Sequence, residues 1–178
     1  FRTFCQEENC WQQPRAFVSD HTRVCYFRDE GRHPDVEAFD DTAGELILMA
    51  GLPGAGKDTY IRGRFPGFPV ISLDTLRLEM DVEATDNQGQ VLQASRQLLR
   101  EHLRRKDKFV FNATNLVRQR RKQILELAAD YGVRTRIIYL EAPRSKLLAQ
   151  NKNRLASVPE DVIARMTQKW ELPSRLEA

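Results

Sequence analysis

Short apolar runs alternate with amphipathic stretches from residue 45 onward. The runs are apolar and rich in Ile, Val or Phe, which is typical of strands buried on both faces of a sheet. They span 45–50, 69–73, 108–112 and 135–140. Because the stretches between them have helical spacing, the pattern predicts an α/β domain with a parallel, doubly wound sheet of about four to five strands flanked by helices.

Helical segments are predicted from the spacing of apolar residues and from the residues that interrupt it. The longest has a face of Val and Leu side chains, and Gly132 ends the one that follows. The segments span 58–64, 74–79, 88–106, 118–131, 143–153 and 159 onward. We expect the last two to form a C-terminal helical lid over residues 143–172.

Residues 1–44 differ from the rest of the chain in composition and pattern, because they are rich in aromatic residues, irregular in pattern and acidic toward their end. The sequence predicts the end of a helix over 1–11, a short strand over 24–27 and a linker over 31–44. Since the chain does not begin with methionine, we expect residues 1–44 to be an extension or connector from a missing upstream domain. Residues 45–178 are expected to form the main domain.

The bulk composition narrows the class of protein. With 41% hydrophobic and 30% charged residues, the composition is that of a globular protein. No signal peptide is visible in these residues and no apolar run reaches about 18 residues, so we expect no membrane partner. Cys5, Cys10 and Cys25 fit neither a disulfide framework nor a complete zinc site, which favours a reducing cytoplasm. A net charge of +3 does not by itself indicate a nucleic-acid partner.

The stretch GLPGAGKDT, residues 51–59, follows the first apolar run and carries the clearest chemical signal. In a phosphate-binding loop, glycines let backbone N–H groups point at phosphate oxygens and a lysine neutralises the outer phosphates. The residues expected to bind nucleotide are Gly51, Pro53, Gly54, Ala55, Gly56, Lys57, Asp58 and Thr59. We therefore predict an NTP site, with ATP or GTP as the phosphate donor.

Asp58 departs from the usual pattern of such a loop, because Ser or Thr is expected at its position. The usual hydroxyl binds Mg²⁺, and a carboxylate is an even better oxygen ligand for this ion. We predict that Asp58 contacts Mg²⁺ directly or through water and that Thr59 donates to the α-phosphate. The alternative is that Asp58 caps the following helix and the metal is held elsewhere.

Asp74 and Arg77 follow the second predicted strand, in the stretch SLDTLR. In a parallel sheet this position lies at the same edge as the phosphate loop. Phosphoryl transfer to a hydroxyl needs a base for the attacking oxygen and cations for the phosphate charge, and Asp74 and Arg77 suit these tasks. Arg154, between the last two helices, is a candidate to close over the triphosphate. The alternatives are a helix-capping Asp74 and an arginine that only faces solvent.

The third predicted strand is followed by Asn-Ala-Thr-Asn at 112–115 and then by Arg118 and Arg121. Alone, such a stretch is also typical of a turn. Arg77, Arg118 and Arg121 nevertheless suit an acceptor that is a polyanion, because phosphates dominate the affinity for such a molecule. Asn115 and Arg118 therefore join Arg77 as candidate acceptor contacts.

Together, the stretches GLPGAGKDT, SLDTLR, NATN and NKNRLASVPEDVIARM resemble the kinase domain of bacteriophage and bacterial polynucleotide 5′-kinases. The resemblance covers about residues 45–172. It is greatest to bacterial enzymes in which this domain follows an HD-type phosphohydrolase domain. It implies a P-loop kinase fold, Mg²⁺ as cofactor, and a possible upstream phosphohydrolase domain in the full-length chain.

The resemblance also implies roles for individual residues. Lys57 would bind the β- and γ-phosphates, and Asp74 would be the general base for a 5′-hydroxyl. Arg77 would contact the 3′-phosphate of the acceptor end, and Arg154 would be the lid arginine on the donor phosphates. The second lid arginine of the family corresponds to Gln150 here, so the lid keeps its charge only if Lys152 compensates.

The leading hypothesis is a polynucleotide 5′-kinase that transfers the γ-phosphate of an NTP to the 5′-hydroxyl end of RNA or DNA, as in the repair of nucleic-acid ends. RNA and DNA, and ATP and GTP, fit the pattern equally. One alternative is a small-molecule hydroxyl kinase of the same architecture. The other is a nucleotide-binding module without catalysis, although Asp74 and Arg154 argue against it.

Overall fold

The structure of the chain is a computed structural model. It describes residues 1–28, 32–83, 87–154, 157–174 and 177. The chain forms two compact units, Phe1–Asp41 and Thr42–Ala178. Among the described residues, none of the helices combines the length and the apolar character needed to cross a membrane.

The smaller unit contains two helices, α1 (Arg2–Glu7) and α2 (Asp20–Arg28). The strand predicted over 24–27 is wrong, because these residues lie within α2. Ser19 accounts for the difference, since its Oγ accepts a hydrogen bond from the Thr22 backbone N–H at 3.0 Å, as a helix cap does. A helix start signal therefore outweighs the β propensity of the residues that follow.

The predicted linker has no helix or strand over residues 32–44, and residue 31 lies outside the described part of the chain. Its conformation is held by polar contacts to the helical part of the same unit. The buried hydroxyl of Thr22 accepts a hydrogen bond from the Ala38 N–H at 3.0 Å. Arg15 forms ion pairs with both Glu8 and Asp35. These contacts make residues 1–41 a small folded unit.

In the described residues of the larger unit, four parallel strands form one sheet in the order β2-β3-β1-β4. They are β1 (Glu45–Ala50), β2 (Val70–Ser72), β3 (Lys108–Asn112) and β4 (Arg134–Tyr139). Leu46 and Leu48 of β1 enter one core, whereas Ile47 and Met49 enter a second core. After Glu45 the strand is apolar because both of its faces are buried. The parallel pairing of the four strands confirms the predicted α/β sheet.

The helices of the larger unit are α3 (Lys57–Arg64), α4 (Leu73–Glu79), α5 (Gly89–Arg105), α6 (Arg118–Asp130), α7 (Arg144–Lys152) and α8 (Glu160–Gln168). The core that contains Leu46 also contains Leu99 of α5, and the core that contains Ile47 also contains Ile61 of α3. A third core joins α7 and α8 to the loop after β1. Helices therefore cover the sheet from more than one side.

The carboxyl ends of three strands meet at one edge of the sheet. The register pairs Met49 of β1 with Asn112 of β3, and Ser72 of β2 with the same Asn112. The segments that follow β1, β2 and β3 therefore start side by side. Every predicted site residue except Arg154 belongs to one of these segments, and Arg154 follows α7.

Candidate active site

The phosphate loop, residues 51–59, runs from β1 into the first turn of α3. Gly56 is the N-cap of α3 and has a φ of 90°, which is the left-handed region that favours glycine. Gly54 lies so close to α7 that a Cβ atom there would be 2.5 Å from the Leu147 carbonyl oxygen. The first turn of α3 presents backbone N–H groups and the positive end of its dipole. The loop thus has the backbone of an anion site.

Bonds from the segment after β3 hold the start of this loop. The Gly51 N–H donates to the Thr114 carbonyl at 2.9 Å. The Asn115 side chain donates through Nδ2 to the Met49 carbonyl at 2.7 Å, and Asn115 is only 1% exposed. The placement of Asn115 therefore favours support of the loop from within the fold over the predicted contact with an acceptor.

The remaining residues of the loop divide into packed and accessible positions. Pro53 is buried, and the Ala55 N–H closes a turn by donating to the Leu52 carbonyl at 3.1 Å. Thr59 is exposed in the first turn of α3. Its hydroxyl is therefore accessible to a ligand at the helix N-terminus.

Lys57 begins α3 and turns its side chain back over the loop. Its Nζ donates to the carbonyl oxygens of Gly51 and Leu52, at 2.9 Å each. Burial and the positive charge of Arg154 lower the pKa of Lys57 to about 8, although Asp58 and Asp74 partly oppose the shift. A polyphosphate on the loop would supply the negative charge that favours the protonated amine.

Asp58 is exposed in the first turn of α3, and the helix cap is Gly56, so the structure does not show the capping alternative. Its Oδ1 accepts a hydrogen bond from Asn112 Nδ2 at 2.6 Å. The oxygen of the same amide, Asn112 Oδ1, is buried and has no hydrogen-bond partner among the described residues. Mg²⁺ prefers oxygen ligands such as these, so the residues fit the magnesium ion predicted here.

Asp74, Arg77 and Arg154 form a charged cluster, which we call the acidic-arginine cluster. Asp74 Oδ1 accepts from Arg77 Nη1 at 2.6 Å, and Asp74 Oδ2 accepts from Arg154 Nη2 at 2.5 Å. The Asp74 side chain is 51% exposed. Asp74 and Arg154 both influence the pKa of Lys57, which places the cluster beside the phosphate loop. The structure therefore brings together residues from three separate segments, as predicted.

The Asp74 carboxylate does not cap α4, because Ser72 Oγ accepts the hydrogen bond from the Thr75 N–H, at 3.3 Å. The Asp74 carboxylate accepts instead from Arg77 and Arg154. Arg77 is oriented by Gln88, whose Oε1 accepts from Arg77 Nε at 2.7 Å. Sequence reasoning missed Gln88, because a single glutamine before α5 carries no signal of its own.

The lid predicted over 143–172 contains α7 and α8, and its residues 155 and 156 lie outside the described part of the chain. Gln150 Oε1 lies 4.0 Å from the place where a Cβ of Gly56 would be. Lys152 instead lies 3.7 Å from the Glu160 carboxylate, and its side chain is 71% exposed. The structure therefore brings Gln150 to the phosphate loop, whereas Lys152 is exposed and faces Glu160.

Arg121 is a structural residue, and the expectation that it suits a polyanionic acceptor is wrong. Its side chain is 0% exposed and pairs with Glu177, with an Nε–Oε2 distance of 2.7 Å. The same guanidinium donates to backbone carbonyls after β3 and to the Glu171 carbonyl. Arg118 is exposed, and its backbone N–H donates to the Glu171 carboxylate. Arg118 thus stays accessible to an acceptor.

Comparison with known proteins shows the family to which this site belongs. A model of the family described as AAA domain matches residues 46–173. The L-seryl-tRNA(Sec) kinase of Methanococcus maripaludis is 25% identical over 135 residues, which are 72% of this chain and 53% of that protein. The chain therefore spans about half the length of the curated relative that it matches.

Solved structures share the fold. A gluconokinase from Sinorhizobium meliloti 1021 has a TM-score of 0.51 at 20% identity, covering 74% of this chain and 78% of that chain. A chain of the Pnkp1/Rnl/Hen1 RNA repair complex has a TM-score of 0.60 at 14% identity, covering 78% of this chain and 46% of that chain. These similarities show the α/β P-loop kinase fold, and their identities are too low to assign a substrate.

Proposed function

The chain belongs to the AAA domain family, and from this premise we propose that it is a polynucleotide 5′-kinase. It would transfer the γ-phosphate of an NTP to the 5′-hydroxyl end of RNA or DNA. The observation that carries the proposal is the acidic-arginine cluster beside the phosphate loop, where Asp74 lies between Arg77 and Arg154. A base flanked by two cations suits transfer between a triphosphate and an acceptor that itself carries phosphate.

The donor half of the proposed reaction uses the phosphate loop. Backbone N–H groups of the loop would hold the triphosphate, Lys57 would bind the β- and γ-phosphates, and Thr59 would donate to the α-phosphate. When bound, Mg²⁺ neutralises charge on the β- and γ-phosphates, and Asp58 would hold it. Arg154 would exchange its bond to Asp74 for one to the γ-phosphate, whose charge attracts a guanidinium strongly.

The acceptor half of the reaction uses Asp74 and Arg77. Asp74 would take the proton of the 5′-hydroxyl while that oxygen attacks the γ-phosphorus. The new P–O bond would form as the bond from the γ-phosphorus to the β–γ bridging oxygen breaks, and NDP would leave. Arg77, held in place by Gln88, would bind an acceptor phosphate, and the exposed Arg118 would be a further cationic contact for the acceptor.

Two further points favour a nucleic-acid acceptor. The first is charge, because Arg77 and Arg118 suit a polyanion better than a neutral sugar. The second is similarity, since the relative named L-seryl-tRNA(Sec) kinase has a tRNA in its substrate name and one fold neighbour belongs to an RNA repair complex. The second candidate function is a small-molecule hydroxyl kinase, which the fold of the gluconokinase favours.

Phosphate transfer to a panel of acceptors tests the proposal. Labelled ATP and GTP are each offered with a 5′-OH RNA oligonucleotide, a 5′-OH DNA oligonucleotide, a nucleoside and gluconate. We expect the oligonucleotides to be labelled at their 5′ ends, with an acceptor KM that rises steeply with salt concentration. Faster labelling of the nucleoside or gluconate would favour the small-molecule kinase, and nucleotide binding without any transfer would favour a module without catalysis.

A matched pair of variants separates the acceptor site from general surface charge. Arg77→Gln is expected to raise the KM for the oligonucleotide far more than the KM for the NTP. Arg165→Gln removes a charge from the exposed outer face of α8, where Arg165 pairs with Asp161, and is expected to leave both values unchanged. Equal effects of the two variants would remove Arg77 from the acceptor site.

A further inference from the structure

Asp58 and Asn112 form a polar pair across the carboxyl edge of the sheet. Asn112 is the last residue of β3, and Asp58 lies in the first turn of α3. The residues are 54 positions apart in sequence, yet Asn112 Nδ2 donates to Asp58 Oδ1 at 2.6 Å. The pair therefore depends on β3 lying next to β1, where Asn112 is in register with Met49.

The carboxylate and the neutral side chain of this pair occupy the opposite positions from those in a common arrangement of magnesium ligands. P-loop NTPases typically hold Mg²⁺ with a hydroxyl directly after the loop lysine and with a carboxylate from a second segment. Here the carboxylate of Asp58 directly follows Lys57, and a neutral amide stands at the end of the neighbouring strand. The pair thus still contributes one protein carboxylate, but it does so from the helix.

Burial and hydrogen bonding differ between the two members of the pair. Asn112 is 7% exposed, and its Oδ1 has no hydrogen-bond partner within the described ranges. A buried polar atom without a partner costs free energy, so Oδ1 is a position at which water or a ligand is expected. Asp58 is exposed, and its Oδ1 is the carboxylate oxygen that accepts from Asn112.

We infer that Asn112 is a positioning residue for the metal–nucleotide complex. Its amide N–H fixes the Asp58 carboxylate. Its own Oδ1 offers a neutral oxygen beside that charged group. Because two carboxylates in contact would repel each other, an amide at Asn112 is required when position 58 carries a carboxylate. The inference rests on the proposed function only in that the ligand is a metal–NTP complex.

Metal-dependent nucleotide binding tests this pairing without an acceptor. Mn²⁺ serves as the probe, and its binding in the presence of a non-hydrolysable ATP analogue is followed by electron paramagnetic resonance. The variants are Asp58→Ser, Asn112→Leu, Asn112→Asp and the double variant Asp58→Ser/Asn112→Asp. Gln119→Glu, which adds a carboxylate at an exposed position of α6, is the matched control. Circular dichroism shows which variants fold.

We expect Asn112→Leu and Asp58→Ser each to weaken Mn²⁺ binding about tenfold or more, as loss of an outer-shell partner or a ligand does. The double variant recreates a hydroxyl after the lysine and a carboxylate at the strand end, so it should bind Mn²⁺ more tightly than Asp58→Ser alone. Asn112→Asp alone should lower the melting temperature without metal and should gain more stability from Mn²⁺ than the parent chain does. The control should behave as the parent chain.

Two results would overturn the inference. One is a folded Asn112→Leu variant that binds Mn²⁺ as tightly as the parent chain. The other is a folded double variant that binds no better than Asp58→Ser. Because no acceptor is present, the outcome is separate from the proposed function. A chain that shows the expected Mn²⁺ pattern but labels no 5′-hydroxyl end would contradict the kinase proposal and leave the role of Asn112 intact.

Discussion

The phosphate loop after β1 and the acidic-arginine cluster after β2 belong to the same site but are held by different kinds of bonds. The phosphate loop is tied to the fold by buried bonds, such as the one from Asn115 to the Met49 carbonyl. The acidic-arginine cluster is held by ion pairs between side chains, and its Asp74 is half exposed. Breaking a buried hydrogen bond costs about 1–3 kcal/mol, whereas exposed ion pairs typically contribute about 0–1 kcal/mol.

This difference separates a fixed region from an exchangeable one. The fixed region consists of the phosphate loop and the segment after β3 that supports it. The exchangeable region is the acidic-arginine cluster, whose arginines can leave Asp74 for phosphates at little cost in stability. Substitutions in the first region should therefore change folding, and substitutions in the second should change chemistry while the fold stays intact.

Arg154→Ala tests the exchangeable region. If Arg154 stabilises transferred charge as an arginine supplied in cis does, the rate of phosphate transfer should fall by about 10³-fold or more. The melting temperature should change little, because the bond that is lost is solvent-accessible. Rapid-quench transfer kinetics and calorimetry measure the two quantities. A large fall in melting temperature with an unchanged rate would reverse the assignment of the two regions.

Arg121→Met tests the support of the fixed region. The substitution leaves Glu177, whose side chain is 5% exposed, without its partner. The free energy of unfolding should therefore fall by about 3 kcal/mol, as expected when one member of a buried ion pair is removed. Chemical denaturation measures this change. Arg120→Met, at an exposed position of the same helix, is the control and should be nearly neutral.

Acid should reduce the difference in the free energy of unfolding between Arg121→Met and the parent chain. Burial raises the pKa of Glu177, but hydrogen bonds from Arg121 and the Ser174 N–H outweigh it and hold this pKa below its usual value. A carboxyl whose pKa is lowered by folding stabilises the folded state at neutral pH, and this contribution is lost as the pH falls through the lowered pKa. Unfolding curves that stay equally far apart in acid would show that the lost stability comes from packing alone.

Proton uptake by Lys57 on NTP binding is the smallest expected effect and the most specific to one residue. Because its pKa is lowered to about 8, about half of these side chains lack a proton at pH 8 in the unliganded chain. Phosphates would favour the charged amine, so NTP binding at pH 8 should take up about half a proton, and much less at pH 7. Titration calorimetry in buffers of different ionisation enthalpy measures this uptake. Lys152→Met, at an exposed position of α7, is the control and should show the same proton uptake. No proton uptake in the parent chain would contradict contact between Lys57 and phosphate.

The sequence predicts the edge of the sheet better than it predicts the contacts there. The strands are recognisable because burial on both faces requires apolar residues such as those of β1, and parallel strands then bring Asp74 to the phosphate loop. The strand over 24–27 is mispredicted because the start signal at Ser19 lies outside the apolar run. Local pattern thus identifies elements only where no neighbouring cap competes.

Contacts between distant segments are what the sequence could not provide. Arg121 has the same appearance as its exposed neighbour Arg120, and only its partner 56 residues away shows that it is buried. Asn112 could be assigned to Asp58 only once β3 was known to lie beside β1. The cytoplasmic location, the boundary after residue 44 and the upstream phosphohydrolase domain stay predictions.

Asp74→Asn tests whether Asp74 is the general base of the proposed kinase reaction. Single-turnover transfer of labelled γ-phosphate to a 5′-OH oligonucleotide is compared with NTP affinity in the same preparation, and Glu79→Gln at the exposed end of α4 is the control. Asparagine keeps the shape of Asp74 but cannot accept the hydroxyl proton, so the transfer rate should fall by about 10²–10⁴-fold while NTP affinity is retained. Transfer at the parental rate in Asp74→Asn would show that Asp74 is not the general base.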